Sequence, residues 1–489
     1  DGPGIKARGV SFAGTNLVVE LGHGVDYAWS ATSASGDLVD TVAERLCNTD
    51  GSAATVTSTG YLVDGACTPM EQYTHHEDAN PSAAGGTTPV QLDLLVLKTR
   101  HGIVQTRTTV AGKPVAIVSE RSTYGHEVDS VIGFARLQDP GYVHDPTSFE
   151  HAVSAIDYTF NWFYTDSAHI GYYSSGLLPQ RAAGYEPDFP RWGDRRYDSV
   201  GNVPFEGHAR AVDPPKGYLV SWNNKPAPGF SAADNSYSYG PVYRSLALED
   251  RITYRLARGK VTTVSLVDAM MDGGTVDVRG KYDLPLALDV VGTPTDPQDR
   301  AAVAVLRQWV KDGAHRVDRQ RAGHYDHQAA VALMDTWWEP QAAGIAGATF
   351  SLPKDVLRGA LGQLTDQLPQ KLDDHPRIGL GSAFNGVAWY GYVNKDLRQV
   401  LGRPVKGAYS RTYCGGGKLA TCRAQLRASL HAAVQAALKA QGVSSPTALT
   451  YDKKLDDIRS TTAGLVGVRE IDWQNRPTYQ QVVHWTSHR

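Results

Sequence analysis

"SASGDLVDTVAERL", residues 33–46, places Asp37 and Asp40 three residues apart at the head of an apolar run. At a helix start that spacing lets the two carboxylates converge, and a main-chain carbonyl between them adds a third oxygen. Calcium takes roughly six to eight such oxygens, so a calcium reading also requires remote donors. A purely local reading makes Asp37 an N-cap and Asp40 its acidic partner in the first turn. The two uses are compatible, and both expect a helix to follow.

Around this stretch lie 489 residues, more than a single core usually organises, so two domains or one layered domain with a helical annex are expected. A hydrophobic fraction of 41% supports a large core. The formal net charge is −3, and no basic stripe interleaves with aromatics, which argues against a nucleic-acid partner. No apolar run has the length of a membrane span. The four cysteines fall as two local pairs, Cys47 with Cys67 and Cys414 with Cys422, which reads as two disulfides. Neither pair has the short spacing of a zinc site. An oxidising compartment follows, secreted into the periplasm or the medium. Asp1 is not a Met, so the chain as given reads as processed or truncated at its start. "HHEDA" at 75–79 and "HYDH" at 324–327 contain metal-ligand residue types, but irregular polar histidines read as solvated loops. His101, before a Gly at a turn between strands, reads as a structural hydrogen-bonding residue.

Residues 1–120 read as short strands between Gly, Ser and Asp turns, among them "TGYLVDG", "LDLLVLKT" and "KPVAIVSE". A helix opened by Asp145 and Pro146 precedes the aromatic strand "YTFNWFYTD". "GYLVSWNNKPAP", residues 217–228, alternates like a strand and ends near Asn224, before Pro226 and Pro228. Locally, Asn223 and Asn224 open a turn, or one amide is a fixed donor aimed at a ligand oxygen. Apolar spacing of three and four marks helices from 245 to 340 and again in "RAQLRASLHAAVQAALKAQG", which Gly442 would cap. "TYQQVVHW" returns to strand. The expected class is α+β: a core of residues 1–244 and 445–489, with a mainly helical insert at 245–444.

In order along the chain, "VDYAWSATSASGDLVDTVAERL", "RHGIVQT", "FNWFYTDSAHIGYYSSGLLPQR", "GYLVSWNNKPAP" and "NRPTYQQVV" resemble the β-subunit of the penicillin acylase family of N-terminal-nucleophile hydrolases. The likeness runs over essentially the whole chain. It implies an αββα sandwich and hydrolysis of a small-molecule N-acyl amide by an N-terminal Ser whose own α-amine takes the hydroxyl proton. Asn223 matches the family's side-chain oxyanion donor, the backbone N–H of Ser33 the second donor, and Arg244 the arginine that supports the site. Asp37, the Val39 carbonyl and Asp40 match calcium ligands, with the Pro187 carbonyl and Asp234 as the remote ones. Phe134 stands near an acyl-pocket aromatic. The implied partner is an α-subunit cut from the same precursor, which contributes one further calcium ligand. Asp1 falls a few tens of residues after the expected nucleophile, so that Ser lies upstream of the chain.

Within this reading the substrate is a penicillin-type or related acylamine, an acyl-homoserine lactone or a lipopeptide. Two other readings compete. One is a non-catalytic, calcium-stabilised binding protein of the same fold. The other is a carbohydrate-active protein, suggested by 24 Tyr, 10 Trp and the aspartate pairs.

Overall fold

Alternating β-branched and aromatic residues in the first half of the chain pair into two antiparallel-rich sheets. The structure is a computed structural model that describes residues 4–12, 15, 18–79, 90–223, 225–232, 243–338, 344–351, 381–382, 390–405, 411–459, 472–474 and 480–487. Its contacts divide the chain into one unit of Asp1–Ser82, Gly86–Tyr239 and Gln481–Arg489 and another of Ala83–Gly85 and Gly240–Gln480. The expected boundary at 244 thus compares with 239. Residues 445–480, expected with the core, group with the helices.

The strands of the first unit are β1 (Arg8–Val10), β2 (Leu21–His23), β3 (Ala28–Ser33), β4 (Val39–Cys47), β5 (Gly60–Val63), β6 (Ala66–Pro69) and β7 (Glu71–Ala79). They continue with β8 (Val90–Thr99), β9 (Gly102–Val110), β10 (Lys113–Arg121), β11 (Phe160–Thr165), β12 (Ile170–Ser174), β13 (Arg191–Trp192) and β14 (Arg210–Val212). One sheet has the order β1-β2-β3-β11-β12-β14; the other runs β6-β5-β4-β10-β9-β8-β7, with β13 parallel to β4. Helices α1 (Val131–Gln138) and α2 (Pro146–Val153) pack on the first sheet. There Trp29, Trp162, Tyr173 and Phe149 are buried together, and the Tyr27 hydroxyl donates to the Leu137 carbonyl at 2.7 Å. Asp145 caps α2 and Pro146 opens it, as the sequence predicts. A disulfide between Cys47 and Cys67 ties β4 to β6, and a second joins Cys414 and Cys422.

Three expected elements differ. The run after Asp37 is strand β4, not a helix, although Val39, Val42, Ala43 and Leu46 also share a helical face. Pairing of Val39–Arg45 with Val115–Arg121 overrides that local pattern, and Glu44, polar in the helical reading, is buried against His101. Residues 217–223 form no strand; prolines bracket the segment, and the side chains of Ser221 and Asn223 tie it to Thr32 and Ser33. Residues 480–487 form no strand either; Gln481 instead donates its side-chain amide to the carbonyls of Gly22 and Trp29.

The second unit contains α3 (Tyr243–Leu256), α4 (Thr263–Gly274), α5 (Val278–Tyr282), α6 (Leu284–Val291), α7 (Pro297–Lys311), α8 (Gln328–Trp338) and α9 (Ile345–Phe350). α10 (Tyr390–Val400) and α11 (Leu419–Gln441) follow, with a short pair of β15 (Gly381–Ser382) and β16 (Ile458–Arg459). α11 ends at Gly442, whose φ of 65° takes the left-handed cap. Its apolar face, including Leu426, Leu430 and Val434, joins Trp309 and Trp337 in the core. Inside that core Arg316, fully buried, bonds Asp277 at 3.1 Å, Asp456 at 2.9 Å and Asp335. Arg279 adds a 2.5 Å pair with Asp277. Burial alone would raise the Asp277 carboxyl, but these two guanidiniums bring it down to about 2.

Two outcomes follow for this network. Arg316→Met leaves three carboxylates facing one arginine and is expected to cost about 3–5 kcal/mol in chemical denaturation. At Asp456, burial and Asp335 outweigh Arg316 and push the carboxyl from 3.8 up to about 6. Its folded value is raised, so its stabilising contribution is complete below pH 3.8 and is lost as pH rises through about 6. Asp456→Asn should flatten the pH dependence of the melting temperature across that window.

Candidate active site

Hydrogen-bond alternation along β3 decides what its last residue presents. The Ala34 N–H donates to the Thr159 carbonyl at 3.0 Å, so Ser33, opposite Phe160, occupies a non-hydrogen-bonded position. Both backbone polar groups of Ser33 therefore turn away from β11, toward the edge that faces β2. Among the described residues β2 pairs β3 only at Ala28 and Trp29, so the edge lies open beyond them. Two side-chain amides cap it. Gln481 donates to the Trp29 carbonyl at 3.1 Å, and Asn223 Nδ2 donates to the Ser33 carbonyl at 2.9 Å. The two predicted oxyanion donors, Asn223 and the Ser33 N–H, are thus brought to one strand edge.

Asn223 reaches this position with φ of 57°, a left-handed conformation that Asn tolerates better than most residues. Two residues earlier, Ser221 Oγ lies 2.9 Å from Thr32 Oγ1. The segment after residue 217 is therefore moored to the last two residues of β3 by side chains. Asn224 lies outside the described residues. Arg244 is in the first turn of α3, in the other unit, and its side chain also lies outside them. Phe134 packs edge-on against Trp162, with centroids 5.8 Å apart, on the face of the first sheet that α1 covers.

The acidic pair sits where the chain passes from β3 to β4. Asp37 precedes the strand beside a bridge between Gly36 and Ala232, and Asp40 lies inside it. The turn before Val39 lets both buried carboxylates face one guanidinium. Arg181 Nη2 meets Asp37 at 2.7 Å and its Nε meets Asp40 at 2.8 Å, while the Tyr185 hydroxyl donates to Asp40 at 3.0 Å. The Ser122 N–H bonds the Leu38 carbonyl at 3.0 Å, so by the same alternation the Val39 carbonyl faces away from β10. Pro187 lies half-buried in the loop that carries Arg181 and Tyr185. Asp234 is outside the described residues. A cavity of about 350 Å³ opens beside Asp40, lined also by Leu38, His101, Glu120, Ser122 and Asn202.

A second ionic group pins the same loop. His101 is buried between Glu44, 2.5 Å from Nδ1, and Asp198, 2.9 Å from Nε2. Arg100 bonds Asp198 at 2.7 Å and Arg191 bonds Glu120 at 2.5 Å. Burial would raise the Asp198 carboxyl, yet hydrogen bonds from Arg100 and His101 hold it below the usual range. Gly102 follows because a Cβ there would meet the Ser119 carbonyl at 2.2 Å. Sequence reading singled out His101 but missed Glu44 and Asp198, since carboxylates scattered over the chain carry no spacing signal. The 75–79 histidines are exposed beside Glu77 and Asp93, and His327 pairs with Asp312. Among the described residues, His126 with Asp129 and Asp157, and His431 with Asp296 and Asp299, are the groups of three whose ligand atoms converge closely enough to hold a metal ion.

Residues 1–484 match the family model for penicillin amidase. The chain is 27% identical over 361 residues to penicillin G acylase of Escherichia coli, a match covering 73% of this chain and 39% of that protein. It is 27% identical over 323 residues to acyl-homoserine lactone acylase QuiP of Pseudomonas syringae, covering 64% of this chain and 36% of that one. Thus the chain spans less than half the length of these relatives. The solved thermostable penicillin G acylase from Alcaligenes faecalis superposes with a TM-score of 0.71 at 22% identity, over 98% of this chain and 80% of that one. That likeness gives the fold, the α+β architecture of the N-terminal-nucleophile hydrolases. With the family match running over nearly its entire length, the chain belongs to the penicillin amidase family.

Proposed function

We propose that this chain is the β-subunit part of an amidohydrolase that cleaves an N-acyl amide, penicillin-type or a related acylamine, to a carboxylic acid and an amine. The observation that carries this reading is the bond from Asn223 to the Ser33 carbonyl. An amide NH2 has two hydrogens, so anchoring one fixes the plane that carries the other. That second N–H and the Ser33 N–H are the donors that a tetrahedral oxyanion needs. In the proposed reaction an N-terminal Ser, contributed from outside these 489 residues, attacks the amide carbonyl while its α-amine accepts the hydroxyl proton. The carbonyl π electrons move onto oxygen, where Asn223 and Ser33 stabilise them. Collapse expels the amine, which takes up the proton, and water then releases the acid by the same steps. Arg244 is proposed to support this charge. An α-subunit from the same precursor completes the protein.

The residues at the acidic corner fit calcium. Two buried carboxylates share one guanidinium, which leaves negative charge for a hard cation to offset. Asp37, Asp40 and the carbonyls of Val39 and Pro187, with Asp234, would hold the ion, and the adjoining cavity leaves room for water ligands. When bound it supplies a structural cross-link between the β3–β4 corner and the Pro187 loop. Both disulfides support an oxidising compartment, secreted or periplasmic. Among the described residues no helix is long and apolar enough to cross a membrane. Similarity to the acyl-homoserine lactone acylases favours a second substrate reading, an N-acyl-homoserine lactone cleaved at its amide. Parallel assays of an aryl-acetyl amide and an acyl-homoserine lactone distinguish the two.

In the complete enzyme, Asn223→Ala should lower kcat by about 10²–10³ with calcium content unchanged. Near-normal turnover would remove Asn223 from the chemistry. Chelation should lower the melting temperature, and calcium at about a hundred times its Kd should restore about 2.7 kcal/mol. Asp37→Asn with Asp40→Asn should abolish that recovery; a recovery that persists would place the ion elsewhere.

A further inference from the structure

Asn223 is aimed by its neighbours. A donor that acts on developing charge must be held to a fraction of an ångström, and a misplacement of about 1 Å costs on the order of a hundredfold. The segment bearing Asn223 has no ladder of its own, so something other than sheet pairing must set its position. Three side chains on one face of the first sheet supply that constraint through Ser221. Thr32 and Asn161 are cross-strand partners on β3 and β11, and Asn161 is 1% exposed. Tyr172, on β12, donates its hydroxyl to Asn161 Oδ1 at 2.5 Å, which fixes the amide with Nδ2 as donor. Asn161 Nδ2 reaches Ser221 Oγ at 3.5 Å, a long contact, and Ser221 Oγ lies 2.9 Å from Thr32 Oγ1.

We propose that Ser221 is a positioning residue: its hydroxyl, held by Thr32 and backed by Asn161 and Tyr172, sets the placement of the Asn223 amide on the Ser33 edge. The inference rests on the reading of Asn223 as an oxyanion donor. In this proposal Ser221 acts through Asn223 and not on the reacting atoms. Trp222, the intervening residue, spaces the two. Anchoring at Thr32 and at Ser33 then defines both ends of a two-residue span on consecutive residues of one strand. Losing the first anchor removes the constraint nearest to Asn223 on its N-terminal side, at a residue whose backbone is already left-handed.

A double-mutant cycle in the complete enzyme tests this with a chromogenic aryl-acetyl amide or, if that is not turned over, an acyl-homoserine lactone. Ser221→Ala should lower kcat by about ten- to a hundredfold with KM within about twofold, and Ser221→Thr, which keeps the hydroxyl, should restore most of it. In the Asn223→Ala background, Ser221→Ala should lower kcat no further. Equal losses in both backgrounds, or none in either, would overturn the positioning role while leaving Asn223 in place. If Asn223→Ala alone has no effect, the function reading fails first. Should Ser221→Ala not fold, Thr32→Val removes the same bond from the other side, and the same non-additivity is required of it.

Discussion

Antiparallel pairing allows a strand residue to point both its N–H and its carbonyl at its partner, or both away from it. Everything at the candidate site depends on Ser33 being of the second kind. Its register opposite Phe160 is fixed from the far end of β3, where Ala28 meets Thr165, and from the Ala34–Thr159 bond just beyond. A slip of one residue would turn Ser33 into the sheet and present its neighbours instead. The large aromatic core under β3 and β11, with Trp29 and Trp162 both buried, makes such a slip costly. Core packing in this unit is therefore also what aims the backbone donor.

The second constraint is electrostatic. The loop from Arg181 to Asp198 is tied to β4, to β10 and to the turn between β8 and β9 through arginine–carboxylate pairs and the buried His101. Buried charges stabilise only when well paired, and removing one partner is more harmful than never having had the pair. This geometry brings Asp37, Asp40 and the Pro187 loop to one corner, directly after the strand that ends in Ser33. The Ser33 edge and the acidic corner are separated by only a few residues of the chain, 33–40.

Much of this was legible in the residues. The strands at 60–63, 90–99 and 113–121, the cap at Asp145, the helix ending at Gly442 and both disulfides follow from local chemistry. Motif order gave the family, and the proposed roles of Asn223 and Ser33 come from that resemblance. What failed was decided at long range. Val39 and Leu46 satisfy a helical and a strand pattern alike, and only pairing with β10 selects the strand. Tyr218, Val220 and Trp222 alternate like a strand, yet the segment forms none; the side chains of Ser221 and Asn223 tie it to Thr32 and to the Ser33 carbonyl, contacts that no periodicity encodes. Glu44 and Asp198, far apart in sequence, meet only in the fold.

The central claim is that Asn223 and the Ser33 N–H act together on one oxygen. A crystal structure of the complete enzyme with a tetrahedral adduct on its nucleophile, such as a boronate or sulfonyl group, tests it most directly. The adduct oxygen is expected about 2.7–3.1 Å from both Asn223 Nδ2 and the Ser33 nitrogen. An adduct oxygen that faces solvent or other donors, with Asn223 still bonded only to the Ser33 carbonyl, would contradict it.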